Sequence, residues 1–478
     1  MTSVQVDEQH DGNEAAQAES DEGYQRGLGA RQIQMIAIGG AIGTGLFLGA
    51  GKGISKAGPS LILAYAVAGV VIFCIMRALG ELLMYRPVSG SFSEYAREFI
   101  GPFAGFATGW TYWLFWVITG MTEVTAAATY MTFWWDIPQW VSALVFTVIL
   151  YGANLISVKL FGELEFWFST VKVTAIIGMI LICAGILTIG FSDAGDTASL
   201  THLWDLGGFF AGENGIGSTL MTLQMVMFAF LAVELVGVTA GEAKDAKKVL
   251  PKAINTVPWR IAVFYVGALI MILSVVPWTS FKAGESPFVH AFDKMGLGIG
   301  AAIVNFVVLT AALSSCNSGM YSTGRMLRDL AQNSQGPQFF TKLSKNGLPV
   351  VGTTFSAAMM LVGVWINYQW PGEAFNYVVS FATISGMWAW IIILICQIRY
   401  RLKSDRGELP KSEFRAPWGV WVSGLALAFI FLVIVLMGID PDARVSLYAA
   451  PVWAAILGVS YFILKKRNPE AAAFSKRS

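Results

Sequence analysis

The sequence predicts an all-α integral membrane protein of 12 transmembrane helices, and three observations carry that expectation. Hydrophobic residues make up 55% of the 478-residue chain and charged residues only 13%, where a soluble domain carries roughly 25% charged residues. Windows of about 20 mostly apolar residues, the length a helix needs to cross a bilayer, recur along the chain. Two of those windows, the first and the sixth, are interrupted in corresponding places, which argues for helices broken at the bilayer midplane.

The first 30 residues, "MTSVQVDEQHDGNEAAQAESDEGYQRGLGA", are acidic and nearly free of large apolar side chains. They lack the basic start and short apolar core of a cleaved signal peptide, and read as a disordered cytoplasmic tail. The spans then fall near 33–53, 60–84, 103–132, 138–157, 166–189, 217–240, 254–277, 298–324, 350–368, 374–398, 418–437 and 447–464. Residues 31–400 hold the first ten, 401–467 a basic loop and the last two, and 468–478 a cytoplasmic C-terminal tail. In "SGSFSEYAREFIG" (89–101), Phe92, Tyr95, Ala96, Phe99 and Ile100 stand at helical spacing, which predicts a short interfacial helix against the inner mouth.

Lysine and arginine in short loops are retained on the cytoplasmic side. The loops after the even-numbered spans carry clusters such as Lys244, Lys247, Lys248 and Lys252, or Arg399, Arg401 and Lys403, while the opposite loops carry few. Both termini are therefore placed inside. The basic clusters lack the interleaved aromatics of a nucleic-acid surface. Cys74, Cys183, Cys316 and Cys396 lie in apolar spans and suggest neither a disulfide framework nor a metal spacing. With only His10, His202 and His290, far apart, no metal or other cofactor is expected.

The stretch "IGGAIGTGLFLG" (38–49) places glycine at Gly39, Gly40, Gly43, Gly45 and Gly49, each costing about 1 kcal/mol relative to alanine inside a helix. A dinucleotide fingerprint fails because Leu48 stands where the third glycine belongs, and a phosphate loop fails because Gly53 follows Lys52. Helix packing competes, since Gly39 and Gly43, and Gly45 and Gly49, keep a small-xxx-small register. The second interrupted span tips the balance. In "LMTLQMVMFAFLAVELVGVTAGEA" (220–243), Glu234 sits deep among apolar residues and glycines resume at Gly237 and Gly241. Five spans plus five of inverted topology, the first of each set broken, make the predicted core. Half-helix amino ends then face an anionic group and carboxyl ends a cation, which suits a zwitterion. Its carboxylate meets the N–H groups around Gly43, Thr44 and Gly45, and its ammonium meets carbonyls of the unwound turns.

The stretches "IGGAIGTGLFLGAG", "AGPSLILAY", "RALGEL" (77–82), "PVSGSFSEYA" (87–96), "EFWFSTVKV" (165–173), "GEAKDAKKVLPKAIN" (241–255) and "NSGMYSTGRML" (317–327) carry a family resemblance. The chain resembles the amino acid–polyamine–organocation superfamily and, within it, the bacterial amino acid transporter family. "PWTSFKAGESPFV" (277–289) and "LVGVWINYQWPGEAF" (361–375) are most similar to L-asparagine permeases, while D-serine/D-alanine/glycine and 4-aminobutyrate carriers share the backbone motifs. The resemblance implies a LeuT-like fold with helices 1 and 6 broken and two extra C-terminal helices. It implies proton symport of an amino acid by alternating access, in a bacterial cytoplasmic membrane. It puts the substrate carboxylate at Gly43, Thr44 and Gly45, and the ammonium at main-chain carbonyls of Ala41, Phe228 and Leu231, with Phe228 as an aromatic lid.

Burying an ionisable residue at a helix centre costs at least about 2.5–3.5 kcal/mol, so those within spans carry the most weight. The resemblance places Lys172 where a lysine ammonium replaces the sodium ion of sodium-coupled relatives, beside the span 1 break and Ser314 or Ser315. A buried lysine loses and regains a proton readily; the competing reading is a permanently charged structural lysine. Glu123 and Glu234 are the acids expected near the central cavity, and either can take a proton or orient a gate; the sharper expectation is substrate contact for Glu123, and proton handling or bracing of the broken helix for Glu234. A protonated structural carboxyl is the alternative for each. Arg77 and Glu81, four apart, predict a structural ion pair on one helix face. Thr119, Thr122, Ser380, Thr383 and Ser385 are the hydroxyls placed to read a polar side chain, against the packing role common for such residues in membranes. No set of catalytic acids, histidines or a nucleophile with its base converges, which argues against an enzyme. An amino acid sensor that binds without transport is the remaining class.

Overall fold

The computed structural model describes residues 35, 42–87, 91–195, 197–239, 246–371, 373–441 and 443–468. The acidic tail, Gly39, Gly40, Ala41, Gly241 and residues 469–478 lie outside the described residues. A π-helical turn, Gly45–Gly49, leads into α1 (Ala50–Ala57), followed by α2 (Leu61–Tyr85), α3 (Ser91–Phe99), α4 (Pro102–Met131), α5 (Gln139–Asn154) and α6 (Val158–Ile189). Next come α7 (Ile216–Ala229), α8 (Leu235–Thr239), α9 (Ala246–Asn255), α10 (Val257–Arg260), a π-helical stretch Ile261–Gly267, and α11 (Ala268–Val275). The chain continues through α12 (Pro287–Lys294), α13 (Gly298–Gln332), α14 (Val350–Gln369), α15 (Ala374–Asp405), α16 (Val420–Ile439) and α17 (Arg444–Arg467). Among the described residues there is no strand.

Eight helical runs are long and apolar enough to cross a membrane, and α5 and α7 are shorter apolar helices. The 30-residue α4 is not one of the eight. Its threonines, glycines, tryptophans and tyrosines lower its hydropathy, and most of them face protein instead of lipid: α4 packs against α3, α5, α13, α14 and α15. The outermost helices show the opposite chemistry. Leu425, Phe431 and Val435 of α16 and Val452, Ile456 and Phe462 of α17 are exposed, an apolar surface that suits a lipid solvent.

Helix α6 begins at Val158, ahead of the expected 166, because Ser157 caps it by accepting a hydrogen bond from the Leu160 amide. Glu165 is thereby drawn into the helix. The amphipathic α3 buries Phe92, Tyr95 and Ala96 completely and rests on α4 and α15, so its apolar face meets protein.

The expected Arg77–Glu81 pair does not form as a pair. Glu81 is fully buried and is held by Arg401 of α15, Nε to Oε1 at 2.6 Å and Nη2 to Oε2 at 2.5 Å. Gln397 Nε2 and the Ala416 amide also donate to Oε2, at 3.0 and 2.9 Å. Arg77 turns instead to Asn255 Oδ1 at 2.9 Å and the Arg415 carbonyl at 2.5 Å. Bidentate geometry decides the competition: α15 continues to Asp405, which brings the Arg401 fork onto the carboxylate. Glu81→Ala leaves Arg401 buried without its partner, an expected loss of about 3–5 kcal/mol, to be seen as a lower melting midpoint of the detergent-purified protein.

Candidate functional site

Ile42 and Gly43 are not helical, and the helix that runs on into α1 starts at Thr44. Its first backbone bonds run from the Leu46 and Phe47 amides to the Gly43 carbonyl, at 3.2 and 3.4 Å. The amides of Gly43, Thr44 and Gly45 therefore precede the helical ladder, as the first N–H groups of any helix must. The sixth expected span is interrupted. Helix α7 stops at Ala229 and α8 starts at Leu235, with Ala232 between them at φ 74°. A left-handed alanine is strained; it reverses the chain where glycine would be the ordinary choice.

The start of the first helix and the end of α7 touch. A Cβ on Gly45 would lie 2.4 Å from the Ala229 Cα. Between them sits a small cavity lined by Gly43, Gly45, Thr119, Glu123, Phe228, Ala229, Leu231, Ala232 and Ser315, with room for little more than a water molecule. A ligand larger than water enters only if these walls part. Seven of the nine lining residues were expected from sequence; Ala229 and Ala232 were not, since alanine carries no chemical signal and only the backbone conformation marks them.

Glu123 is 3% exposed and borders Thr44 and Ser315. A Cβ on Gly43 would stand 3.2 Å from its Oε1. The Glu123 Oε2, Thr44 Oγ1 and Thr119 Oγ1 atoms are buried without a hydrogen-bond partner. Such atoms are rare in folded proteins; here Glu123 and Thr119 line one cavity and Thr44 adjoins Glu123.

Lys172 is fully buried on α6. Its Nζ donates to the Ile42 carbonyl at 3.2 Å and to Ser314 Oγ on α13 at 3.0 Å. Ser314 Oγ in turn donates to Glu165 Oε1 at 2.5 Å, and Glu165 too is fully buried. Glu165 was missed in the sequence. The signal was its spacing: seven residues before Lys172 is two turns of one helix face.

Residues 32–472 match the amino acid permease family. The chain belongs to that family. It is 46% identical to a Bacillus subtilis protein named "Probable threonine/serine transporter", over 92% of this chain and 94% of that one. It is 45% identical to the D-serine/D-alanine/glycine transporter of Escherichia coli, over 95% and 97% of the two chains. It is 43% identical to the L-asparagine permease of Escherichia coli, over 94% and 91%.

The remaining expected residues of this permease fall in three places. Glu234 is fully buried and lies on the far side of the second break from the cavity lining, accepting from Trp390 Nε1 of α15 at 3.0 Å and from Tyr112 OH of α4 at 3.4 Å. These bonds tie the segment between α7 and α8 to α15 and α4. Ser380 and Thr383 line a separate small pocket with Lys52, Gln224, Met225 and Val379, and Phe228 forms a wall common to both. The Thr122 and Thr383 hydroxyls donate back to the Ile118 and Val379 carbonyls of their own helices, at 3.0 and 2.8 Å. Ser385 lines an outward apolar groove with Phe103, Trp388 and Trp453, away from the cavity. One residue along a helix turns a side chain by about 100°, so Thr383 and Ser385 cannot share a face.

Proposed function

We propose that this permease is a secondary active transporter that imports an amino acid across the bacterial cytoplasmic membrane by proton symport and alternating access. Its core is ten spans in a 5+5 inverted repeat with helices 1 and 6 broken, the LeuT-like arrangement, followed by two further spans, with both termini cytoplasmic. The observation that carries the reading is the buried Lys172 ammonium tying the Ile42 carbonyl at the first break to Ser314 of α13. A charge that holds one helix break loosens it when its proton leaves.

The substrate carboxylate binds the Gly43, Thr44 and Gly45 amides and its ammonium the carbonyls of Ala41, Phe228 and Leu231, with Phe228 as lid. Glu123 already faces the Thr44 end of that cradle. Two carboxylates on one set of amides repel each other, so the substrate binds when Glu123 is neutral or has turned to its ammonium. Either event links proton to substrate. L-asparagine is the proposed cargo, with Thr119 and Ser315 as the polar side chains of the cavity wall. The 45% identical relative named for D-serine, D-alanine and glycine supports a second reading, a small neutral amino acid.

Proteoliposomes with an imposed inward proton gradient test both. Uphill uptake of radiolabelled L-asparagine is expected, competed by unlabelled L-asparagine more than by D-serine, glycine, L-proline or 4-aminobutyrate. Uptake of no amino acid under the gradient ends the symport reading; stronger competition by D-serine or glycine replaces asparagine with the second cargo.

A further inference from the structure

Lys172 opens a chain of hydrogen bonds whose far end the proposed coupling leaves unused. Its Nζ donates to Ser314 Oγ at 3.0 Å, and Ser314 Oγ donates to Glu165 Oε1 at 2.5 Å. All three side chains are fully buried. A hydroxyl between a donor and a carboxylate accepts one proton as it gives up another, so a proton crosses both bonds with little movement of heavy atoms. Glu165 lies two helical turns before Lys172, about 10 Å along the axis toward the start of α6. The charge bias of the loops puts that end of α6 on the cytoplasmic side.

Polar groups continue beyond it. Asn317 and Ser318 of α13 also border the Glu165 carboxylate. Asn317 Oδ1 accepts from Asn154 Nδ2 at 2.8 Å, at the last residue of α5. On the other side, Lys172 faces Glu123 of α4. The lysine thus stands between an acid at the cavity and an acid toward the inner end.

We infer that Glu165 takes the transported proton from Lys172 through Ser314 and passes it to the cytoplasmic side. An ammonium proton moves to Ser314 Oγ while the hydroxyl proton moves to Glu165 Oε1. Lys172 becomes a neutral amine, Glu165 a neutral acid, and the hydroxyl is restored. The pair carries no net charge before or after the step, so no uncompensated charge is left inside the membrane. The inference rests on Lys172 as the coupling lysine.

Proteoliposomes holding the wild type, Glu165→Gln, Glu165→Asp or Ser314→Ala test it, with the same radiolabelled amino acid assayed in two modes. One is uphill uptake under a proton gradient; the other is counterflow at equal pH. Glu165→Gln is expected to cut uphill uptake at least about tenfold while counterflow stays within about twofold. Ser314→Ala reduces uphill uptake in the same selective way, and Glu165→Asp recovers part of it. Wild-type uphill uptake in Glu165→Gln overturns the relay. Equal loss of both modes overturns it too, because Glu165 then serves the fold or the substrate site. Failure confined to the Glu165 variants leaves symport standing, whereas absence of proton-driven uptake in the wild type sinks the symport reading and the relay with it.

Discussion

Lys172→Ala is expected to abolish proton-driven accumulation, a loss of at least about a hundredfold in uphill uptake, while weakening substrate binding far less. The ammonium contributes two separable things. It is a positive charge beside the buried Glu165 and Glu123, and it is the group proposed to shed a proton. Alanine removes both and leaves Glu165 without its cation, which costs about 3–5 kcal/mol for a buried pair. Lys172→Arg separates them. A guanidinium keeps the charge but does not release its proton in a protein, so this variant is expected to bind substrate, measured by ligand-induced thermal stabilisation, and to exchange it without uphill uptake. Full uphill transport in either variant removes Lys172 from the coupling role.

The sequence exposes the parts of this site whose residue types are unusual for their surroundings. Lys172, Glu123 and Glu234 stand out because a charge in an apolar span demands a reason, and the glycines of 38–49 stand out because a helix disfavours them. Residues that act through backbone shape are silent. Ala232 turns the second break in a left-handed conformation, and alanine gives no hint of it. Glu165 was hidden by a boundary: a span drawn from 166 excludes a residue that the Ser157 cap brings into the helix.

The long-range pairings were legible only as options. Arg77 and Glu81 satisfy the spacing for a helical ion pair, yet Arg401 is 320 positions away in sequence and wins through its two-pronged contact. The hydroxyls follow the same lesson. Helical phase separates Thr383, in the pocket that shares Phe228 with the cavity, from Ser385, in the outward groove. Phase depends on how each helix is rotated against its neighbours, which local sequence leaves open.

Gly45→Ala is expected to eliminate uptake, and Gly49→Ala to leave it near wild type. Both glycines belong to the same short motif and a composition argument treats them alike. At Gly45 an added Cβ would stand 2.4 Å from Ala229 Cα and 2.9 Å from Ala229 N. Those are backbone atoms, so no rotamer change relieves the clash, and the helix that starts at Thr44 must shift away from the end of α7. Overpacking of this kind costs about 1–3 kcal/mol. The shift also moves the Gly45 amide relative to the Phe228 and Leu231 backbone, disturbing the cradle from which the substrate would be held. At Gly49 the nearest atom to an added Cβ is the flexible Met225 Cε, at 3.9 Å. Alanine there fits open space and gains helix propensity of up to about 1 kcal/mol. Radiolabelled uptake and melting midpoints of the two variants decide it. Comparable activity in both means the half-helices are not in backbone contact during transport, and the glycines of this motif then serve flexibility alone.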